Sequence, residues 1–340
     1  MLKRKPAAQV QIDMDKNIAR RKIVGATFFM FLGIALFIAS NIVDELRVYQ
    51  GATVAVYVVA ISSIILLTGY SGQISLGHGA LMAIGAYAAV LSRNYWNFPI
   101  PLTFAVAVLA AALFGALLGM AAGRLSGPYL AGTTLALAVG LPSLANQFKI
   151  LGGEEGLTYD VGFPPLSLGQ DFTQYKWFFW IAALAALAIT WVIFNILGSR
   201  YGRQWRALRS NPTAAALLGV HVARSKVLAF TISSGIAGLA GALMSMTISL
   251  VTPSAFPLSL SFAIVTGAVL AGVTLLTGSI VGAVVLVAIP EVTAALATHL
   301  GGSEKVTSNL PGLMMSTLLI LSVLFFPNGP QLHRRKTRKS

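Results

Sequence analysis

The chain contains no cysteine, and charged residues make up only 10% of its 340 residues. The absence of cysteine excludes disulfide scaffolds, thiolate metal sites and cysteine nucleophiles. Its four histidines are scattered singly and it has no glycine-rich P-loop motif, so we expect no metal centre, no ATP site and no cofactor. Hydrophobic residues make up 56% of the chain, which is too many for a water-facing surface and excludes a soluble globular enzyme.

Positive charge is confined to three short blocks. Residues 1–22 hold seven of the 24 Lys and Arg residues, residues 200–226 hold six and residues 334–339 hold five. Acidic residues avoid the last two blocks, since none lies between positions 189 and 261 or after Glu304. Membrane proteins retain Lys and Arg on the cytoplasmic side in this way. Nucleic-acid binding would need a folded basic domain with interleaved aromatics, so we expect no such partner.

Long apolar runs separate these blocks. An apolar helix needs about 20 residues to cross a bilayer. The runs predict ten transmembrane helices, at about 23–42, 52–69, 74–92, 101–123, 128–147, 177–197, 227–250, 258–276, 279–299 and 310–326.

The basic blocks set the orientation of these helices. With the first block in the cytoplasm, the number of crossings also places loop 198–226 in the cytoplasm and the acidic segment 150–172 outside. We therefore predict a basic cytoplasmic segment (1–22), a transmembrane domain (23–327) and a basic cytoplasmic tail (328–340). The expected fold class is an all-α polytopic membrane helical bundle, with both termini in the cytoplasm.

Small residues recur at helical spacing within the predicted spans. Small side chains three or four residues apart let helix backbones approach closely in lipid, so we expect a compact bundle. The residues concerned are Gly115, Gly119 and Gly123, then Gly235, Gly238 and Gly241, and finally Gly278 and Gly282.

Residues 69–80 do not resemble a lipid-facing helix, since they hold four glycines, two serines, a glutamine and a histidine. Broken helix is tolerated at membrane depth only inside protein or beside a water-filled cavity. The segment is either a break lining a translocation path, or a cytoplasmic turn whose serines and glutamine face water. A second interruption, at 267–282, occupies a similar place in the second half. The path candidates in the first are Gly69, Tyr70, Ser71, Gly72, Gln73, Ser75 and His78, the last expected to hydrogen-bond within the turn.

Glu291 is the one acidic residue inside a predicted span. Because inserting a charge costs about 2.5 kcal/mol or more, such a carboxylate is a candidate functional residue. It would line the translocation path and meet a substrate amine. The alternative, which we prefer, ends the helix near Pro290 and places Glu291 at the outer interface.

The predicted cytoplasmic loop 198–226 contains two distinct patterns. The first is an arginine at every third position beside two aromatic residues, which suits lipid headgroups, although charge retained at a membrane boundary explains it as well. The second is a short Ala- and Leu-rich helix, which is unstable alone in water and must dock on the bundle or on another protein. Asn211 fits its N-cap, Pro212 its first turn and Gly219 its C-terminus. The basic pattern comprises Arg200, Arg203, Arg206, Arg209, Tyr201 and Trp205.

Taken together, these features resemble the LivM-type permease subunits of the branched-chain amino acid ABC importer family. The similarity extends from about residue 69 to residue 330. Its first and fourth elements are specific, and the others support them as an ordered set. The elements are GYSGQISLGHGALMAIGAY (69–87), LSGPYLAGTTLAL (125–137), LGGEEGLT (151–158), SRYGRQWRALRSNPTAAALLGVHVARSKVLAF (199–230) and LFFPNGP (324–330).

The resemblance implies a subunit of an importer in the bacterial inner membrane. Its partners would be a LivH-like permease, two cytoplasmic ABC ATPases, an extracytoplasmic binding protein and membrane lipids. The short helix would be the coupling helix that the ATPases grip, in which the family has a Glu-Ala-Ala triplet followed, after three residues, by Gly. Thr213 stands where the family has Glu, so a charged contact is not expected there. The implied coupling residues are Asn211, Pro212, Thr213, Ala214, Ala215, Leu218 and Gly219.

The implied solute is a branched-chain or other hydrophobic amino acid, with urea or short-chain amides as the alternative. An ion-coupled secondary transporter would need ionisable groups in its spans, and apart from Glu291 there are none. A membrane-embedded enzyme would need converging catalytic groups, which the dispersed acids and single histidines do not provide. We therefore expect a transport subunit without enzymatic activity of its own.

Overall fold

The computed structural model describes residues 27, 30–38, 40–124, 128–165, 168–169, 172–299 and 304–325. The predicted segments 1–22 and 328–340 lie outside the described residues. The chain divides into two compact units, residues 1–44 and 45–340. The first unit contains helix α1 (Met30–Ile42).

The second unit is almost entirely helical. Two short strands, β1 (Leu157–Thr158) and β2 (Leu250–Val251), pair antiparallel and join two connections between helices. Helix α2 continues into a π-helical turn, Ile65–Tyr70. The α-helices of this second unit are α2 (Glu45–Ile64), α3 (His78–Trp96), α4 (Ile100–Arg124), α5 (Pro128–Gln147), α6 (Gln174–Gly198), α7 (Arg200–Ser210), α8 (Pro212–Leu217), α9 (Val222–Ile248), α10 (Leu258–Leu270), α11 (Gly278–His299) and α12 (Glu304–Phe325).

The fold class is confirmed as an all-α polytopic membrane bundle. Within the described residues, five helical segments are both long enough and apolar enough to cross a bilayer. The total of ten crossings remains a prediction. The five segments are Glu45–Tyr70, Ile100–Ala121, Gln174–Gly198, Val222–Ile248 and Pro253–Leu270.

Helix α9 packs against α2, α3 and α4 in the core of the second unit. Its Gly238 lies backbone to backbone against Gly85 of α3, and a Cβ on Gly85 would overlap the Gly238 main chain. Gly241 of α9 meets the backbone of Met82, and Gly115 of α4 meets Ser234. The predicted close approach of helices through small residues is therefore confirmed at these positions.

The preferred interpretation of Glu291 is wrong in one respect, because the helix does not end near Pro290. Helix α11 runs through Pro290 to His299, and Glu291 lies within it. Proline removes one helical hydrogen bond, but neighbouring helices and nearby hydroxyl groups compensate for it in transmembrane helices. The carbonyl that Pro290 leaves without its helical partner is that of Leu286, whereas the Thr293 hydroxyl donates to the carbonyl of Ile289 at 2.8 Å. Glu291 is exposed and accepts a hydrogen bond from Gln50 near the start of α2.

The two ends of the bundle are built from the segments that the charge pattern assigns to opposite sides. At one end, Tyr159 of the acidic connection hydrogen-bonds Thr103 at 2.6 Å, and Arg93 donates to the carbonyl of Asp160 at 3.1 Å. At the other end, the interruption after α2 lies beside α7 and the start of α9. The grouping of segments agrees with the predicted orientation, while the side that faces the cytoplasm remains a prediction.

Candidate functional site

The short helix predicted over residues 211–219 is present as α8. The Asn211 side chain accepts a hydrogen bond from the Ala214 amide at 3.0 Å, and Pro212 occupies the first turn. Gly219 follows the helix with φ +84°, a left-handed conformation that favours glycine. The cap, the proline and the glycine therefore have the structural roles that the sequence predicted.

Helix α8 exposes almost all of its apolar surface. Ala215 is its one buried residue and lies on the side that packs against α7 and α9. We expected Ala215 to contact a partner, and its burial within its own chain makes it an anchor instead. Leu217 and Leu218 are 85% and 82% exposed. The sequence analysis included Leu218 but missed Leu217, although two adjacent leucines in a basic loop already indicate an apolar surface.

Helix α7 is amphipathic, with its aromatic side turned inward. Trp205 is completely buried, and its indole N–H donates to the carbonyl of Ser225 on α9 at 3.1 Å. The sequence pattern predicted that Trp205 forms part of a surface for lipid headgroups. Its burial shows that this prediction is wrong for Trp205. The residues three before and three after it, Gly202 and Leu208, are buried on the same side. The pattern of burial fixes α7 against the bundle and leaves its arginines on the outer side.

The interruption after α2 is an unwound segment, residues 72–77, between the π-helical turn and α3. Ser71, Gln73 and Ser75 are buried, at 4%, 3% and 1% exposure. The alternative in which these side chains face water is therefore wrong. The side-chain amide of Gln73 donates to Ser71 Oγ at 2.6 Å and to the carbonyl of Lys226 at 3.2 Å. Side chains also pair backbone groups of the break, because the Thr68 hydroxyl donates to the Gln73 carbonyl at 3.0 Å and the Leu76 amide donates to Thr134 Oγ1 at 3.0 Å.

His78 anchors the far end of this unwound segment and is itself buried. Its Nε2 lies 3.0 Å from Ser233 Oγ, and Ser233 donates to the carbonyl of Ser63 at 2.8 Å. Because a serine hydroxyl has one proton, Ser233 must accept from His78 Nε2–H. His78 Nδ1 lies 3.1 Å from Ser75 Oγ, which confirms the hydrogen bond expected within the turn. In the neutral tautomer that carries its proton on Nε2, Nδ1 is the acceptor of this bond.

The unwound segment penetrates the bundle. Gln73 contacts Lys226, four residues after the start of α9, whereas His78 contacts Ser233, eleven residues after it. At about 1.5 Å per helical residue, the segment rises by about 10 Å along α9. Residues 72–77 are therefore a break whose polar side chains are packed inside protein, while Gly72 and Ile74 are exposed. A role for the break in lining a translocation path remains a prediction.

The second predicted interruption is also present and contacts the first. Helix α10 ends at Leu270, and residues 271–277 form turns before α11, with Gly272 at φ +85°. The Tyr70 hydroxyl donates to the carbonyl of Thr274 at 3.0 Å. Gly69 approaches the Val273 carbonyl so closely that a Cβ would overlap it. The two helix breaks therefore form one contiguous irregular region.

An open groove of about 770 Å³ lies between α2, α9, α10, α11 and α12. Its walls are mainly apolar, with hydroxyl groups from Tyr57, Thr266 and Ser316. Pro290, the residue before Glu291, forms part of the wall. Among the described residues, no group of three or more His, Asp or Glu is placed to hold a metal ion.

Comparison with known proteins gives a consistent result. Residues 47–323 match the family described as the permease component of the branched-chain amino acid transport system. The chain is 28% identical to the high-affinity branched-chain amino acid permease protein LivM of Escherichia coli K12, over 81% of this chain and 67% of the relative. It is 26% identical to LivH of the same organism, over 83% of this chain and 94% of the relative. It is 30% identical to the autoinducer 2 import permease LsrC of Yersinia pseudotuberculosis, over 60% of this chain and 62% of the relative. No solved structure matches the chain.

Proposed function

Because this chain belongs to the family of branched-chain amino acid transport permeases, we propose that it is a permease subunit of an ATP-driven importer. It works with a LivH-like permease, two cytoplasmic ATPases and an extracytoplasmic binding protein in the bacterial inner membrane. Both of its termini lie in the cytoplasm. The solute is a branched-chain or other hydrophobic amino acid.

The exposed tip of α8 is the observation that carries this proposal. A helix of six residues is unstable alone in water, and this one exposes two adjacent leucines. Covering a leucine side chain is worth about 1.5–3 kcal/mol. A groove on a partner that accepts both leucines would therefore bind α8 and stabilise its helical form. The sequence has no P-loop of its own, so the partner that closes with ATP is a separate subunit.

The attachment of α8 explains how such a partner would act on the bundle. Ala215 anchors α8 against α7 and α9, so a push on α8 reaches both helices. Nucleotide binding to the ATPases favours the arrangement in which α8 is displaced. The importer then moves from an outward-facing to an inward-facing population, because nucleotide binds the two arrangements with different affinity.

Two features of the second unit suit a path for an apolar solute. The contiguous breaks around Tyr70 and Thr274 lie beside α7, where opening toward the cytoplasm would occur. The groove lined by Tyr57 and Thr266 offers an apolar wall with hydroxyl groups. Glu291 follows directly after a residue of that wall but does not line the groove, and its carboxylate accepts a hydrogen bond from Gln50.

A pair of double variants tests the role of α8. Leu217→Glu/Leu218→Glu places two charges on the exposed tip, whereas Leu217→Met/Leu218→Met keeps the tip apolar at the same positions. We expect the glutamate variant to reach the membrane normally but to lose co-purifying ATPase and ATP-dependent leucine uptake by about tenfold or more. The methionine variant retains both. Full uptake by the glutamate variant would show that α8 is not the coupling element.

A solute panel tests the substrate and the energy source. Vesicles that contain the complete importer and its binding protein are supplied with leucine, isoleucine, valine, urea and a short amide, with and without ATP. We expect uptake of the branched-chain amino acids, and only with ATP. Uptake driven by a proton or sodium gradient without ATP would refute the importer and favour a secondary transporter.

A further inference from the structure

We propose that Arg206 and Arg209 of α7 are positioning residues that couple the movement of α8 to both helix breaks. This inference rests on the proposed function, because it assigns the route by which the coupling helix acts. Charge alone would explain these arginines as residues retained at a membrane boundary. Their individual contacts indicate a more specific role.

Arg209 connects α7 to the first break. Its guanidinium donates a hydrogen bond to the carbonyl of Gly69 in the π-helical turn. The last carbonyls of a helix lack backbone partners, and a cation there is further stabilised by the helix dipole. The Arg209 stem lies over Gly72, where a Cβ would be 3.1 Å from Arg209 Cγ. Gly72 has φ +74°, so the chain reverses directly beneath this side chain.

Arg206 connects α7 to the second break through Tyr70. Its guanidinium carbon lies 5.9 Å from the centroid of the Tyr70 ring, within the range of a cation–π interaction. The Tyr70 hydroxyl in turn donates to the carbonyl of Thr274 at 3.0 Å. Arg206 also donates to the carbonyl of Leu197 at 3.3 Å, near the end of α6. One side chain thus joins the end of α6 to both irregular segments.

The other two arginines of α7 contact residues at the start of that helix. Arg203 donates to the carbonyl of Gly198 at 3.4 Å, just before α7. Arg200 lies 4.9 Å from the ring centroid of the adjacent Tyr201 and donates to its hydroxyl at 2.9 Å. The four arginines therefore divide into a pair that contacts the breaks and a pair that remains at the start of α7. Arg203 provides a control with the same charge on the same helix.

The positions of these residues suit transmission of a displacement. Arg209 is two residues before Asn211, the N-cap of α8, so at most about 7 Å of chain separates them. Trp205 holds the middle of α7 on α9 through Ser225, so α7 cannot slide freely past the bundle. A displacement of α8 then moves Arg209, and with it Gly69 and the break that follows. Without the arginine contacts, α8 can move while both breaks keep their positions.

The experiment compares Arg209→Gln, Arg206→Gln and Arg203→Gln in the complete importer, reconstituted in proteoliposomes with its binding protein. The measured quantity is the ratio of leucine transported to ATP hydrolysed. We expect Arg209→Gln and Arg206→Gln to keep the ATPases bound and nucleotide-responsive, but to lower this ratio about fivefold or more. Arg203→Gln keeps the wild-type ratio. Equal ratios in the three variants overturn the proposal.

A second measurement does not depend on transport. Because the chain has no cysteine, Ser210→Cys and Leu275→Cys allow spin labels at two exposed sites, on α7 and on the second break. With intact arginines we expect the distance between labels to stay constant on ATP binding, since α7 and the break move together. With Arg209→Gln, we expect the mean distance between labels to change on ATP binding, or the distribution of distances to broaden. A distance that changes equally with and without Arg209 overturns the proposal, even if that variant assembles poorly.

Tyr70→Phe separates the two routes. It keeps the ring under Arg206 but removes the hydroxyl that bonds Thr274, so we expect a smaller loss of coupling, about twofold to threefold. An unchanged ratio would exclude the route through the second break. If the wild-type importer shows no ATP-dependent uptake at all, the proposed function is refuted. If the arginine variants have altered uptake but the wild-type ratio of leucine transported to ATP hydrolysed, only the role of the arginines is refuted.

Discussion

The contact between Gly85 and Gly238 gives a quantitative test of how the bundle is packed. Here α3 and α9 meet backbone to backbone, and a methyl group on Gly85 would overlap the main chain of Gly238. Gly238 has no room to move away from α3, because it packs closely against α4. A Cβ on Gly238 would overlap Ala111 of that helix. Gly85→Ala therefore forces the helices apart.

The cost of this substitution can be worked out from two opposing effects. Overpacking a tight interface costs about 1–3 kcal/mol, and the upper value applies because the obstacle is backbone rather than a flexible side chain. Alanine gains about 1 kcal/mol over glycine in helix propensity. The net loss for Gly85→Ala is about 2 kcal/mol, which is about a 30-fold reduction in the ratio of folded to unfolded protein.

Thermal unfolding of the purified protein in detergent measures this difference. Gly140→Ala on α5 is the matched control, because nothing lies within 4 Å of a Cβ at Gly140. We expect Gly85→Ala to unfold several degrees below the wild type and Gly140→Ala at the same temperature or slightly above it. If Gly85→Ala were as stable as Gly140→Ala, the direct contact between α3 and α9 would be refuted.

Two further predictions concern the ends of the bundle. Asn211→Ala removes the side-chain bond to the Ala214 amide and should destabilise α8 by about 1 kcal/mol, seen as faster amide exchange over 214–218, while Asn211→Ser, which can still cap, should restore protection. Burial raises the pKa of Tyr159 above its usual value of 10.0, outweighing the hydrogen bond from Thr103, which lowers the pKa. Above pH 10 the unfolded state therefore loses this proton before the folded state does, and stability falls as pH rises. Tyr159→Phe should flatten the decline of unfolding temperature between pH 9 and 11, and an equally steep decline would contradict the assignment.

The sequence predicted most reliably the features that depend on local chemistry. Asn211, Pro212 and Gly219 define a helix within nine residues, because a cap, a fixed φ and a left-handed terminus act over one or two turns. The glycine spacing on α9 likewise indicated close packing, since it depends only on which helix face is small. The presence of two helix breaks followed from local composition in the same way.

Features that depend on distant neighbours could not be predicted. Trp205 donates from its indole to the carbonyl of Ser225, and although Gly202, Trp205 and Leu208 share one face of α7, residues 199–210 do not show that this face packs on α9 rather than on lipid. Ala215 is an anchor for the same reason. Proline at 290 suggested a helix end, but the surrounding bundle tolerates the lost hydrogen bond and α11 continues. In each case the decisive partner is remote in sequence.

One physical requirement connects the breaks to the coupling loop. Every helix end inside a membrane leaves backbone groups that must be paired by protein, because no water is available there. Arg209 pairs the Gly69 carbonyl at the end of α2, and the Gln73 side chain holds the first unwound residues on the start of α9 by donating to the Lys226 carbonyl. Both groups flank α8 in the sequence. The residues that make the breaks tolerable are thus attached to the helix that a partner would move, so a displacement of α8 would move the breaks with it. Coupling and opening would then be two consequences of the same set of hydrogen bonds.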